Sequence, residues 1–470
     1  MASLADLSGS SGMRRFERAI RSFRGVCLAA LLAAGCGAEP RPPNFLFILV
    51  DTLRTDHLSA YGYERETSPA LSRLVAGGVR FDRAYAAAPW TKPSVASMFT
   101  GQYPHRHGVN FVLDALPPEA VTVAERLSEA GYSTAGTVSH IFVAGKNGLD
   151  QGFDHYDSAE AGGHSHISTT GVTRRAIKLL EGFGTDPFFL FVHYFDPHYE
   201  YRRHPEFGFA PESVGRLRGG EDIHDLRAMG ADLSPEEVRF LRDVYDEEVR
   251  FTDDGIGVLL ASLEAQGLAD DTIVIVAADH GEEFFERGWL GHTRTVHEEV
   301  IRVPLVVRVP GDPGPGRVVT TPISLASLAP TILDFAGIVA PDGNFQVASL
   351  RSLLEGVDDA EPASVRSEVR YVVLNRSNPQ AEKAAFKYAL IRDRYKLIKD
   401  FQAKRFELYD LFEDPGEHHN LAAERPELLR EMIVELARTQ SRGPAAAIAP
   451  PAELDPRDAK MLRDLGYIDD

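Results

Sequence analysis

Three sites in the chain end an apolar run on a carboxylate or an imidazole. Asp51 follows Asn44 to Val50, Asp196-Pro197-His198 follows the run from Pro187 to Phe195, and Asp279-His280 follows Thr272 to Ala278. Carboxylate oxygens with an imidazole nitrogen and no thiolate suit Zn²⁺, Mn²⁺, Mg²⁺ or Ca²⁺, and the imidazole tilts the choice toward Zn²⁺ or Mn²⁺. Any one of them alone reads as a strand-ending cap. It is their recurrence that points to a shared site.

The elements that must position these residues follow from hydrophobic patterning. Continuous apolar runs at 44–50, 187–195, 272–278 and 303–309 are the pattern of strands buried on both faces of a parallel sheet. Helical patterns lie between and after them at 121–130, 171–182, 235–265 and 325–336. Strands alternating with helices predict an α/β sandwich with a mainly parallel sheet. In such sheets the site forms at the carboxyl ends of the strands, where the three polar endings fall.

A first large unit spans 41–355. Beyond it the texture changes to short, turn-separated strand patterns and a helix at 426–439, read as a small antiparallel sheet subdomain over 365–440. Residues 441–470, rich in Ala and Pro at their start, are read as an extended tail. His164 and His166 read as loop residues, and the stretch 199–242 as the insertion that sets specificity.

The 470 residues carry 50 basic and 69 acidic side chains, a net charge of −19, which argues against nucleic acid as a partner. The two cysteines, Cys27 and Cys36, allow neither a disulfide scaffold nor a Cys-ligated zinc. Both sit near an N-terminal address. Five arginines between positions 14 and 24 precede the apolar run from Val26 to Ala34, and small residues lead to Cys36. Residues 1–36 thus read as a secretory signal. Their end resembles a bacterial lipobox, which implies a lipid anchor on Cys36 and an exported protein held to the membrane of the cell envelope.

The segment Ala88-Pro89-Trp90-Thr91-Lys92-Pro93-Ser94-Val95, with Thr100-Gly101 beyond it, resembles the sulfatase signature Cys/Ser-x-Pro-Ser-Arg followed by Thr-Gly. Val50 to His57 looks like that family's first metal motif. Asp196-Pro197-His198 and Asp279-His280-Gly281-Glu282 look like its middle motifs, and Leu408 to Glu417 like its C-terminal subdomain. The resemblance runs over nearly the whole chain after residue 36. It implies the alkaline phosphatase superfamily fold, an α/β/α sandwich on a large mixed, mainly parallel sheet with a small C-terminal antiparallel sheet. It also implies a divalent metal, Zn²⁺ or Mn²⁺ first and Ca²⁺ also possible, held by Asp51, Thr91, Asp279 and His280. Thr91 takes the nucleophile position at the head of a helix, where the macrodipole favours an anion.

The departures bear on mechanism. Thr91 cannot become formylglycine, so none is expected. The signature arginine is Val95, the second aspartate of the first motif is Thr52, and the sulfate-gripping lysines fall at Ser139 and Thr293. His140, Lys92 and Asp196 are assigned to substrate binding in their place. His198 and His292 are assigned to the equatorial oxygens, a second metal or the leaving-group proton. The set also looks like phosphoethanolamine transferases of the same superfamily. A threonine ester has no release by elimination at carbon, so a second in-line displacement must free it, which fits phosphoryl chemistry better than sulfuryl chemistry. The expected function is metal-dependent hydrolysis of sulfuric or phosphoric esters through a covalent Thr91 intermediate. Its partner is an anionic ester, glycan- or lipid-linked. The alternatives are a group transferase acting on envelope glycans or lipids, and a lipid-anchored glycan-binding protein with a dead site.

Overall fold

A strand made wholly of apolar residues is stable only when both its faces are covered, and Asn44–Val50 meets that condition, with every residue after Asn44 buried. The computed structural model describes residues 41–162, 167–198, 200–311, 314, 316–339, 343–357, 364–373, 383–440, 456–465 and 467. The signal segment with Cys36, His164, His166 and residues 441–455 lie outside these. Among the described residues no helix is long and apolar enough to cross a membrane.

In chain order the strands are β1 (Asn44–Val50), β2 (Val79–Tyr85), β3 (Ser133–Val138), β4 (His155–Asp157), β5 (Phe188–Tyr194) and β6 (Thr272–Ala278). Then come the short pair β7 (Glu283–Phe284) and β8 (Leu290–Gly291), followed by β9 (Arg302–Arg308), β10 (Arg317–Val319) and β11 (Ile323–Ser324). The large sheet runs β10-β2-β9-β6-β1-β5-β3-β4, with β11 also on β2. Only β9 runs against its neighbours, β2 and β6; the other pairings are parallel.

Helices cover both faces, as alternation along β5 shows. Phe191 packs edge-on against Phe99 of the helix Thr91–Thr100, with ring centroids 4.9 Å apart. Three residues on, the Tyr194 hydroxyl meets Thr173 of the helix Thr169–Gly182 at 3.0 Å. Residues three apart on a strand face opposite sides, so the two helices lie in opposite layers. The result is the expected α/β/α sandwich on a mixed, mainly parallel sheet.

The second sheet is antiparallel, in the order β12 (Val365–Val373), β13 (Lys383–Arg392), β14 (Tyr395–Asp400), β15 (Arg405–Asp410). Met432 and Leu436 of the helix Pro426–Gln440 bury against Leu390, Leu397 and Leu408 of this sheet. The reading of 441–470 as an extended tail is corrected by the helix Pro456–Asp464. Met461, Leu462, Leu465 and Tyr467 join an apolar cluster with Trp90, Phe142 and Phe195. The Ala- and Pro-rich stretch before this helix hid its short apolar face.

Candidate active site

β1 and β6 run parallel with Val50 opposite Ala278, so Asp51 and Asp279, each one residue further on, emerge side by side. The chain then turns at Thr52, whose φ of 53° is a left-handed conformation that a β-branched residue rarely adopts. Tyr245 braces this turn: its hydroxyl donates to the Thr52 carbonyl at 2.8 Å and accepts from the Arg54 amide at 2.9 Å. The Thr52 amide points back to Asp279 Oδ1 at 3.4 Å.

His280 has its Nδ1 2.9 Å from the Gly281 carbonyl, which can only accept, so the ring proton sits on Nδ1 and Nε2 carries a lone pair. That lone pair faces three oxygens: Thr91 Oγ1 at 3.3 Å, Asp51 Oδ1 at 3.5 Å and Asp279 Oδ2 at 3.5 Å. His193, on β5, places Nε2 3.6 Å from Asp51 Oδ2. Asp51, His193 and Asp279 each offer a ligand atom within 4.8 Å of the others, all buried. Both Asp51 oxygens and Asp279 Oδ2 are buried without a hydrogen-bond partner.

The electrostatics run the same way. Burial, then the charges of Asp279 and Glu282, hold the Asp51 carboxyl well above its usual range. Burial raises Asp279 as well, lowers His280, and drives His193 down to about 3. Bare carboxylate oxygens converging on imidazole lone pairs repel one another, and one divalent cation among them would satisfy them all. The donor set, hard carboxylates with imidazole and a hydroxyl, fits such an ion.

Thr91 opens its ten-residue helix directly after the extended Trp90, so its hydroxyl and the helix N-terminus face this cluster. The Ser94 hydroxyl donates to the Asp279 carbonyl at 2.7 Å and locks the helix to the end of β6.

Beside these donors lies a line of imidazoles. The His292 ring sits 4.3 Å from that of His280. Its Nδ1 is 2.9 Å from Glu282 Oε1, and its Nε2 is 2.7 Å from the Tyr467 hydroxyl. That hydroxyl is also 3.5 Å from His198 Nε2. His198 and His140 both stack on Phe195, with centroids 4.6 and 4.8 Å from it. Burial pushes Glu282 up to about 8 and His292 well down.

Asp51, Thr91, Asp279 and His280 therefore converge, with His140, His198 and His292 alongside them. Two assignments are corrected. Asp196 does not face substrate: its carboxylate accepts from the Ser168 amide and hydroxyl and from the Thr169 amide, at 2.8, 2.7 and 2.5 Å, tying down the start of the helix Thr169–Gly182. Lys92 points the other way, donating to the Val112 and Asp114 carbonyls at 2.7 and 2.8 Å over the Phe142 ring. At the positions of the missing lysines, Ser139 donates to the His193 carbonyl at 2.7 Å, and Thr293 stands next to His292 with a φ of 79°.

Two residues of the site, His193 and Glu282, escaped sequence reasoning, as did Tyr467, which lies against it. His193 interrupts an otherwise apolar strand two residues before its run ends, a signal that could have found it. Glu282 stood in a quoted motif without a role. Tyr467 is remote in sequence, and nothing local marks it.

The chain is similar to proteins of known family. The family profile described as Sulfatase matches residues 43–338, and that described as N-sulphoglucosamine sulphohydrolase, C-terminal, matches residues 285–442. An N-acetylglucosamine-6-O-sulfatase of Bacteroides thetaiotaomicron is 26% identical, over 88% of this chain and 90% of its own. Two solved structures share the fold. The phosphonate monoester hydrolase of Agrobacterium radiobacter has a TM-score of 0.69 at 22% identity, over 85% of this chain and 96% of its own. A protein in complex with its substrate D-glucosamine-2-N,6-O-disulfate has a TM-score of 0.69 at 23% identity, over 85% of this chain and 98% of its own.

Proposed function

The chain belongs to the sulfatase family and is a hydrolase of sulfate or phosphate esters, and on that premise we propose that Thr91 is its nucleophile and a divalent metal its cofactor. The observation that carries this reading is the Thr91 hydroxyl, 3.3 Å from His280 Nε2 beside the buried Asp51 and Asp279 oxygens. Asp51, Asp279, His280 and His193 would hold Zn²⁺ or Mn²⁺, with Thr91 as a further oxygen donor. Bound there, the metal supplies the positive charge that favours the ionised threonine oxygen and offsets the charge of the ester.

Thr91 Oγ, its hydroxyl proton already given up to solvent, bonds to sulfur or phosphorus while the bond from that atom to the alcohol oxygen breaks, and water later restores it in the same ionised form. The departing oxygen needs a proton, which the Glu282–His292 pair can deliver without forming an imidazolium. With Glu282 held as the acid and His292 neutral, Nε2–H goes to the alcohol while Nδ1 takes the Glu282 proton. Water then displaces Thr91 in line, its proton returns to the pair, and sulfate or phosphate leaves. His140 and His198 stand beside this path to meet the oxygens of the transferred group.

The glycan substrates in the names of similar proteins favour a glycan-linked ester here. The signal-like N-terminus favours export with a lipid anchor on Cys36. Rapid quenching of the metal-loaded protein with an aryl sulfate or an aryl phosphodiester, followed by peptide mass spectrometry, tests the central step. The expected result is one sulfuryl or phosphoryl group on Thr91. Turnover with no adduct, and unchanged in Thr91→Val, would overturn it. Transfer to an added alcohol without release into water would replace hydrolysis with the transferase reading.

A further inference from the structure

The groups assigned to the reaction are sealed from solvent. Thr91, Asp279 and His280 are 0% exposed, and His198 and His292 are 1% exposed. An ester must nevertheless reach Thr91, so some element has to give way. Tyr467 lies directly on these groups. The Tyr467 hydroxyl is 2.7 Å from His292 Nε2, the atom assigned to the departing alcohol, and 3.5 Å from His198 Nε2. Its ring fills the space between Phe142, 4.5 Å away centroid to centroid, and Trp90 and His140, 6.5 and 6.4 Å away.

A phenol is itself an alcohol. Seated on the nitrogen that would protonate the leaving oxygen, it stands where the product of the reaction would stand. The helix Pro456–Asp464 delivers it. Of its nine residues only Leu462 is buried. Lys146 pairs with Asp458 across its first turn, and the Arg463 carbonyl lies 2.9 Å from His224 Nε2. Beyond the helix, Leu465 and Tyr467 are 1% exposed and pack with Leu462 in the apolar cluster of Trp90 and Phe142, so the segment seals the site through these side chains.

We propose that the segment Pro456–Leu465 with Tyr467 is an intramolecular plug: its phenol occupies the leaving-alcohol subsite on His292, beside His198, and withdraws before a substrate enters. This rests on the role given above to His292. It makes the segment an internal competitor, so the fraction of open molecules scales the apparent affinity for substrate.

Two readouts on the full chain test it. The first is carbethoxylation by diethyl pyrocarbonate, followed histidine by histidine by mass spectrometry, in the wild type, Tyr467→Phe and Tyr467→Ala. The second is steady-state hydrolysis of an aryl ester by the same metal-loaded proteins, each first shown to melt cooperatively. Labelling of His198 and His292 should rise about fivefold in Tyr467→Phe, the worth of one hydrogen bond, and more than about tenfold in Tyr467→Ala. Buried His107, away from the segment, is the internal control. The KM of Tyr467→Ala should fall by at least about threefold with kcat retained. Unchanged labelling in a folded Tyr467→Ala would overturn the plug. So would faster labelling with a lower kcat, because Tyr467 would then be part of the working site. Faster labelling with no ester cleaved by any of the three would support the plug's occlusion and count against the hydrolase reading instead.

Discussion

Thr91 Oγ1 lies 3.3 Å from His280 Nε2, and the other nitrogen of that imidazole is fixed by the Gly281 carbonyl, so the pair cannot rotate into a different arrangement without losing a buried hydrogen bond. Replacing Thr91 by Val keeps the β-branched shape at the head of the helix and deletes only the hydroxyl. Turnover is expected to fall at least about a thousandfold, as for loss of a covalent nucleophile. The melting temperature of the metal-free protein should move little, since the side chain is replaced isosterically. Steady-state rates beside a calorimetric scan check both halves.

The bare oxygens of Asp51 and Asp279 make a second, sign-specific prediction. A chelator should abolish activity and lower the melting temperature, because an ion bound only by the folded state stabilises it by mass action. In the metal-loaded protein, Asp51→Asn should lose metal and melt lower. In the metal-free protein the same change should melt at or above the wild type, because burial holds the Asp51 carboxyl well above its usual range, so folding must protonate it, and the amide carries no such cost. Metal analysis with paired scans, with and without chelator, reads this crossover. Identical curves under both conditions would count against a resident metal.

The strands that carry Asp51, His193 and Asp279 were legible because a strand buried on both faces has no polar alternation to obscure it. β3, Ser-Thr-Ala-Gly-Thr-Val, was not, since small and hydroxylated residues give no apolar run although the strand is nearly all buried. β2 mixes arginines and an aspartate into its sequence and hides in the same way. The opposed direction of β9 could not be read either, because strand polarity is set by the connections and not by composition. The carboxylates of the site announced themselves as polar endings. Tyr467 could not, because its role depends on a contact with His292 across 175 residues.

Asp196 separates a structural role from a binding one. Its carboxylate holds two amides and a hydroxyl at the start of a helix, in a buried position. Asp196→Ala should therefore lower stability by about 2 kcal/mol, the upper range for a lost helix cap, and leave KM within about twofold. Denaturant titration and substrate saturation of the same preparation check it. A large rise in KM with stability intact would return Asp196 to the substrate.

Lys92 gives the pH dependence its clearest sign. Burial pushes its ammonium from an ordinary value near 10.5 down to about 7, while its nitrogen donates to the carbonyls of Val112 and Asp114. Between those two values the unfolded chain holds a proton that the folded chain has released, so this group makes stability rise with pH across that window and leaves it flat below. The slope approaches about 1.4 kcal/mol per pH unit where the two states differ by a whole proton. Lys92→Met keeps the apolar stem and removes the titration. Subtracting its stability from that of the wild type should give a curve level from about pH 5 to 6.5 and climbing from about pH 7 to 10. Denaturant unfolding at each pH measures it. A level difference throughout would mean that the amine keeps its ordinary affinity for protons, and that the loop at Val112 and Asp114 closes over a full positive charge.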